Sequence, residues 1–377
     1  MPDAATKPRK PREWSPRFWE GSDFFAWLRL LWRNRFAVEP PYWYIAAIVS
    51  GVSLNNTVLR WLQHARYDDR IERTPVPHAP LFVVGHWRTG TTLLHEVLIL
   101  DKQFHSPDTA QCLMPCHFLL SEEFFKRYLW FVMPERRPMD NMAAGWERPQ
   151  EDEFALCLLG EPSTYTDVAF PNRPPLDPGA LDLSSLSPRE LVAWKRTFRR
   201  FVQALTLRDP RRLVMKSPPH TARIPVLLEL FPNARFVHIK RDPYTLFAST
   251  VNLWTSMGRK HGFQTPRGGP ALDEKVFREF RVIYERLFEA KPLIPAGQFF
   301  EVSYEELTAD LVGTVRRVYD GLGLSGFDGV KLRLEEYAAR SKGYEPNKYA
   351  ITDEVRAKVK ARWGDLIEKL GYGERPA

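Results

Sequence analysis

Four short apolar runs punctuate the chain: "PLFVVG" (80–85), "RLVMK" (212–216), "RFVHIK" (235–240) and "QFFEVSY" (298–304). Each is bounded by turn residues and followed by a helical pattern, which starts at Thr91 and reaches Leu100 after the first run. Strands alternating with helices predict an α/β fold, with a mostly parallel central sheet flanked by helices on both faces. Ser187 with Glu190, and Ser303 with Glu306, read as capping boxes that open helices. A Pro-rich stretch (170–188) and a Gly-rich one (258–270) read as loops. In such a fold, loops of this kind often cover the carboxyl ends of the strands, where ligands bind. No internal repeat is present.

Residues 24–62 follow a different pattern, with Trp, Phe, Leu and Ile interleaved with Arg. Their longest uncharged run, between Pro40 and Arg60, contains Ser50, Gly51, Ser53, Asn55 and Asn56. It is a poor match to the ~20 mostly apolar residues that span a bilayer. Two readings remain: a helical hairpin at a membrane surface, with aromatic rings at headgroup level and arginines at its edge, or a helical cap packed on the main domain. We divide the chain into an N-terminal helical extension (1–79) and a main domain (80–377).

With 377 residues and 44% hydrophobic content the chain has ample material for a packed core. Lys and Arg outnumber Asp and Glu by 54 to 46, a net charge of +8 that favours anionic partners such as nucleotides, acidic substrates or phospholipid headgroups. The excess is spread along the chain, with no basic run of the kind that binds nucleic acid. Three cysteines, Cys112, Cys116 and Cys157, make no Cys-x-x-Cys pair, and the N-terminus lacks the apolar stretch of a signal peptide. The expectation is a cytoplasmic protein, with association at the inner face of a membrane if the hairpin reading holds.

The chemistry begins at "VVGHWRTGTTLL" (83–94). Gly85 and Gly90 stand at the spacing of a nucleotide-phosphate loop, yet Thr91 occupies the place of its lysine. In a strand-to-helix turn the backbone N–H groups of residues 88–92 point into one concavity suited to an oxyanion. Arg88 and the hydroxyls of Thr89, Thr91 and Thr92 are expected to add donors. A second signal lies at "FVHIKRDPYTLFASTVNLW" (236–254), where a strand ends in Arg241 and Ser249 follows eight residues later on a helix. Such an arginine can pair with phosphate through its fork, and the serine can donate to the same group.

Together, in this order, the two signals resemble the sulfotransferases that use 3′-phosphoadenosine 5′-phosphosulfate (PAPS). The resemblance implies that "RTGTT" (88–92) cradles the 5′-phosphosulfate and that Arg241 and Ser249 hold the 3′-phosphate. It also accounts for the absent lysine, because this donor has no γ-phosphate and no bound magnesium. Lys216 lies twenty-five residues before Arg241, near where the family's cytosolic branch has its Lys-Thr-His. Tyr304 in "SYEEL" is similar to the family's adenine-side tyrosine, and "RSKGYEPN" to its loop over the 3′-phosphate, implicating Arg340, Lys342 and Gly343. The similarity covers about residues 80–350 and implies a P-loop-like fold with no metal.

Sulfuryl transfer is an in-line displacement that needs donors at the leaving oxygen and a base at the acceptor. Lys216 and Arg88 are the expected donors. His220 is the first candidate for the base, since imidazole titrates near neutrality, although the family's histidine follows its lysine by two positions where this chain has Pro218. The rival is the acidic row Glu151, Asp152 and Glu153, because other branches of the family use a glutamate. His86 and His95 beside the loop are the remaining candidates for the base, although His86 reads more naturally as loop packing. Cys112 and Cys116 beside His117 lack a fourth metal ligand.

Segments 105–190 and 258–272 are expected to shape an acceptor pocket for a hydrophobic alcohol, phenol or lipid. The aromatic group Phe124, Phe125, Tyr128, Trp130 and Phe131 is expected in the core or the pocket wall. The family's dimer motif is absent, since Asp310 and Tyr319 stand at its ends, so the oligomeric state stays open. Two alternatives remain: a P-loop phosphotransferase, or a non-catalytic protein binding membranes or nucleic acid.

Overall fold

The computed structural model describes residues 16–132, 145–341 and 351–373. Its sheet comprises β1 (Leu81–Val84), β2 (Phe104–His105), β3 (Arg212–Lys216), β4 (Arg235–Lys240) and β5 (Phe299–Ser303), in the spatial order β2-β3-β1-β4-β5. Every pairing is parallel. Four of these strands coincide with the four apolar runs. The two-residue β2 is too short to leave a periodic signal in the sequence.

Two helices precede the sheet, α1 (Phe24–Arg33) and α2 (Trp43–Arg73). Next come α3 (Thr91–Leu98), α4 (Thr109–Leu113), α5 (Phe118–Tyr128), α6 (Asp152–Leu158), α7 (Pro188–Arg208), α8 (Ile224–Leu230) and α9 (Pro243–His261). The chain continues through α10 (Pro270–Ala290), α11 (Tyr304–Ala309), α12 (Leu311–Gly321), α13 (Phe327–Ser341) and α14 (Asp353–Lys369). Both capping boxes form, at the starts of α7 and α11. The loop expected at 258–270 begins later, because α9 runs on to His261.

The sheet separates two cores. Phe82, Val84, Leu213, Met215 and Phe236 face α7, α10 and α14 through Trp194, Phe198, Phe280 and Trp363. Leu81, Val83, Val214, Val237 and Ile239 face α3, α12 and α13 through Leu94, Val97, Val318 and Leu334. Strand side chains alternate between faces, and burial of both faces explains why these strands read as unbroken apolar runs.

The helices before the sheet pack antiparallel to each other. Phe24 N donates to Thr57 Oγ1 (2.9 Å) near the open end, and Trp27 Nε1 donates to Ser50 Oγ (2.9 Å) nearer the turn. Trp19, Trp27 and Leu30 enter the first core, and α2 leans on α7, where Gln203 Nε2 reaches Thr74 O (3.1 Å). Their outward faces carry Phe25, Trp32, Tyr44, Leu54, Val58 and Trp61, and the connection between them carries Phe36, all exposed. Among the described residues no helix is long and apolar enough to cross a membrane.

Candidate functional site

The strand order puts β1 between β3 and β4, so chain segments diverge on either side of it and leave a crevice at the carboxyl ends. The 85–90 loop lines this crevice, folded back on itself by Thr89, whose N–H and hydroxyl both donate to His86 O (3.3 and 2.7 Å). Thr89 is wholly buried, and its hydroxyl, expected to face a ligand, is used to shape the turn. Gly90 has φ 99°, and a Cβ there would come within 2.5 Å of the Tyr304 ring, so only glycine permits the close approach. Arg88 adopts the left-handed region (φ 71°), uncommon for a residue with a side chain and characteristic of functional turns.

The residues expected to hold the donor nucleotide meet here. Arg88 Nε donates to Ser249 Oγ (2.9 Å), Arg241 Nη1 donates to Arg88 O (3.1 Å), and the Arg241 guanidinium lies 4.1 Å from the centre of the Tyr304 ring. Residues 88, 90, 241, 249 and 304 therefore form one surface, joined across more than two hundred positions of sequence. Arg340 is exposed at the end of α13 and pairs with Glu336 (3.2 Å). Lys342 and Gly343 lie outside the described residues.

Next to this surface three consecutive acids each take a nitrogen-bearing partner from the end of β3 or the turn after it. Glu151 Oε1 accepts from Lys216 Nζ (2.6 Å), Asp152 Oδ2 meets His220 Nε2 (2.5 Å), and Glu153 Oε2 accepts from Arg223 Nη1 (2.6 Å). The three pairs do not have equal access to a substrate. Asp152, Glu153, His220 and Arg223 are all 0% exposed. Asp152 also accepts from Ser217 Oγ (3.0 Å), and Glu153 from Ser163 Oγ (2.7 Å). Burial works to raise the Asp152 pKa, but His220 and the Ser217 hydroxyl outweigh it and hold the carboxyl below its ordinary value.

His220, the first candidate for the base, is packed edge-on against Phe82 and Phe198 and faces the first core. The tight turn of Pro218 and Pro219 places it there, one side of the row away from the crevice.

Glu151 is different. It borders a cavity of about 60 Å³ whose lining runs from Arg88, Thr91 and Thr92 of the phosphate loop to Trp87, Tyr165 and Trp254. Lys216 Nζ also lies 3.4 Å from Thr92 Oγ1, which joins the Glu151 pair to the loop. The second Glu151 oxygen accepts from the Tyr165 hydroxyl, which in turn accepts from Trp87 Nε1 (3.1 Å). Burial, then the neighbouring Glu151 charge, pushes the Tyr165 pKa well up, so the phenol stays a donor.

Tyr165, Trp87 and Trp254 are site residues that sequence reasoning missed. Trp87 sat inside the loop motif, while the other two carry no spacing signal. Phe154 and Tyr165 do come from the expected 105–190 wall, but the 258–272 segment lines none of this cavity. Leu253, Trp254 and Met257 of α9 stand in its place. Phe124, Tyr128, Trp130 and Phe131, expected in the core or the wall, are exposed instead.

The two histidines beside the loop are packing residues. Burial lowers the His86 pKa to about 4, and burial together with Lys216 lowers that of His95 to about 3. His86 Nδ1 bonds Trp87 O (2.9 Å) and His95 Nε2 bonds Val214 O (3.2 Å). His117 is taken up by Ser121 and Asn56, and the three cysteines are buried free thiols.

Comparison with known proteins gives this geometry its context. A sequence profile of the sulfotransferase family matches residues 80–329. Over 361 residues the chain is 44% identical to the omega-hydroxy-beta-dihydromenaquinone-9 sulfotransferase Stf3 of Mycobacterium bovis, covering 96% of this chain and 92% of that one. The Mycobacterium tuberculosis protein of the same name matches equally. Among solved structures, sulfotransferase Stf9 from Mycobacterium avium superposes with a TM-score of 0.67 at 20% identity, covering 93% of this chain and 96% of that one. Stf1 from Mycobacterium tuberculosis does so with a TM-score of 0.59, again at 20% identity, covering 92% and 94%. These two likenesses establish the fold.

Proposed function

From the premise that the chain belongs to the sulfotransferase family, we propose that it moves the sulfuryl group from PAPS to the terminal hydroxyl of a long hydrophobic acceptor, with Glu151 as the base. The enzyme class itself, sulfuryl transfer, follows from that membership. The donor, the acceptor and the residue roles are our assignment.

The donor supplies an activated sulfuryl group on a nucleotide leaving group. Arg88, Gly90, Thr91 and Thr92 have the chemistry to hold its 5′ end, and Arg241 and Ser249 its 3′-phosphate, with Tyr304 beside the adenine; Arg340, with Lys342 and Gly343 that follow it in sequence, supplies further donors toward the 3′-phosphate. The observation that carries the mechanism is the Lys216–Glu151 pair at the junction of loop and cavity. Lys216 is placed to meet negative charge growing on the departing oxygen. As its ammonium turns toward that charge, Glu151 loses its counter-ion and gains basicity for the acceptor's proton. Tyr165 keeps the carboxylate oriented by donating to its other oxygen. Asp152 and His220 already satisfy one another away from the cavity, which favours Glu151 over both.

The mycobacterial relatives are named for a hydroxylated dihydromenaquinone. A cavity of about 60 Å³ walled by Trp87, Phe154, Tyr165 and Trp254 suits the end of such a chain, not a bulky headgroup. An acceptor of this kind resides in a bilayer, and the exposed aromatic face of α1 and α2 is our choice for the surface that meets it. Free thiols at all three cysteines fit the inner, reducing side.

The test is titration of the purified protein with 3′-phosphoadenosine 5′-phosphate, and separately with ATP and magnesium, on the wild type and on Arg241→Ala. The reading requires metal-independent binding of the bisphosphate that the substitution weakens. Preference for ATP would overturn it. Transfer of labelled sulfate to an ω-hydroxylated polyprenyl lipid then tests the acceptor.

A further inference from the structure

At the opposite end of the sheet the strands begin with arginines. Arg212 is the first residue of β3 and Arg235 the first of β4, and Arg199 of α7 joins them around a cavity of about 410 Å³. Each strand rises ~3.3 Å per residue, so the arginines stand roughly 13 Å or more from the carboxyl ends where Lys216 and Arg241 lie. Among the described residues no carboxylate comes within ion-pair distance of any of the three arginines. Their neighbours are treated otherwise: Arg200 pairs with Asp68, Arg208 with Glu122 and Glu123, and Arg211 with Asp209. Glu229, on the helix that ends at the cavity, is taken by Lys195. Arg235 Nη1 has one neutral partner, Gly323 O (3.2 Å).

Three guanidinium groups gathered without a counter-charge repel one another, and the effect registers locally. Burial, then the nearby Arg235 charge, lowers the Arg212 pKa from its ordinary value. His78 and Asn233 add nitrogen-bearing side chains to the lining, while Leu230, Phe231 and Pro232 add apolar surface. Planar guanidinium forks match phosphate oxygens, and a cavity of this size takes a small ligand.

We infer that this cavity is a second anion site, separate from the reaction centre, that takes a phosphate or diphosphate group carried on an apolar stem. The chemistry is shared by free phosphorylated metabolites and by phosphomonoester lipid headgroups. The site does not depend on the donor assignment made above.

The experiment uses the full chain with its donor site filled by excess 3′-phosphoadenosine 5′-phosphate, so that added anions report on other sites. Inorganic pyrophosphate is titrated calorimetrically, and flotation is measured on phosphatidylcholine vesicles with and without phosphatidic acid. Loss of two charge-assisted contacts in Arg199→Gln/Arg212→Gln should weaken binding at least tenfold. Pyrophosphate affinity falling in the variant supports a soluble ligand. A fall only in the phosphatidic acid contribution to flotation supports a headgroup. Arg199→Gln alone, at an exposed position on α7, keeps the test open if the double variant does not fold. Wild type and variants that behave alike in both assays would overturn the inference.

Discussion

The carboxyl end of the sheet and the α1–α2 hairpin break opposite rules of protein surfaces. Beside the phosphate loop, Lys216, Asp152, Glu153, His220 and Arg223 are charged or polar and almost completely buried. On the hairpin, Trp32, Trp43 and Trp61 are apolar and 61 to 70% exposed. The first arrangement persists because every buried charge has a partner at hydrogen-bond distance. The second has no such internal compensation, which points to a partner outside the chain. Glu151 is buried but also borders a cavity, which is why we assign it the chemistry and its two fully enclosed neighbours the scaffold.

That division within the acidic row gives the largest expected effect. Glu151→Gln keeps the shape and an acceptor oxygen for Lys216 but removes the proposed base, so kcat should fall by about 10² to 10⁴, a loss far larger than the stability cost of leaving Lys216 with a neutral partner explains. A variant that retains activity within a few-fold would move the base elsewhere. Arg223→Ala should do the reverse. Leaving Glu153 buried without its cation is expected to cost about 3–5 kcal/mol in denaturant unfolding, whatever happens to turnover. Equal loss of stability in both variants would erase the distinction.

Lys216→Ala tests the other half of the pair, and removing one preorganised donor should reduce kcat by about 10² to 10³. Its affinity for 3′-phosphoadenosine 5′-phosphate should change much less than that of Arg241→Ala, and titration calorimetry would show it. The Asp152–His220 pair should register in stability instead of rate. The Asp152 carboxyl is held below its ordinary value, so its contribution is complete above the unfolded-state pKa and disappears as pH falls through the depressed one. Melting temperature followed down the acid limb should therefore decline less steeply in Asp152→Asn than in the wild type. Parallel curves would show that the pair contributes nothing.

The residues proposed to hold the donor were legible as a group in the sequence because they come in compact motifs. The loop runs unbroken from Gly85 to Thr92, and Arg241 closes a strand that the apolar pattern already marks. The proposed base was not legible in the same way. Glu151 is set apart from Asp152 and Glu153 by Tyr165, 14 positions away, and by Lys216, 65 away, and no local spacing encodes either contact. His220 looked suitable by pKa and proximity to Lys216, but the two prolines before it turn the ring into the core. Similarly β2 escaped notice because two residues carry no period, and α9 took the place of the 258–272 wall because its inner face reads as an ordinary helix.

The hairpin offers the smallest effect and the cleanest separation from the reaction centre. Along α2 the outward positions Tyr44, Ile48, Leu54, Val58 and Trp61 are apolar, and the same face turns to Arg66, Asp69, Arg70 and Arg73 toward the end of the helix. Such a change from apolar to charged along one exposed face suits an element that rests in a bilayer surface and leaves it at its basic end. Trp32→Ser/Trp61→Ser removes two of the largest exposed rings without touching the inward contacts of Trp27 or Asn56. Partitioning to vesicles should drop on the order of tenfold, because interfacial burial of each ring is only partial. Sulfation of a lipid acceptor presented in vesicles should fall in step, and turnover of a short water-soluble alcohol should stay at the wild-type rate. If the variant floats with vesicles as well as the wild type does, the exposed rings have some other partner, and the acceptor reaches Glu151 without help from this face.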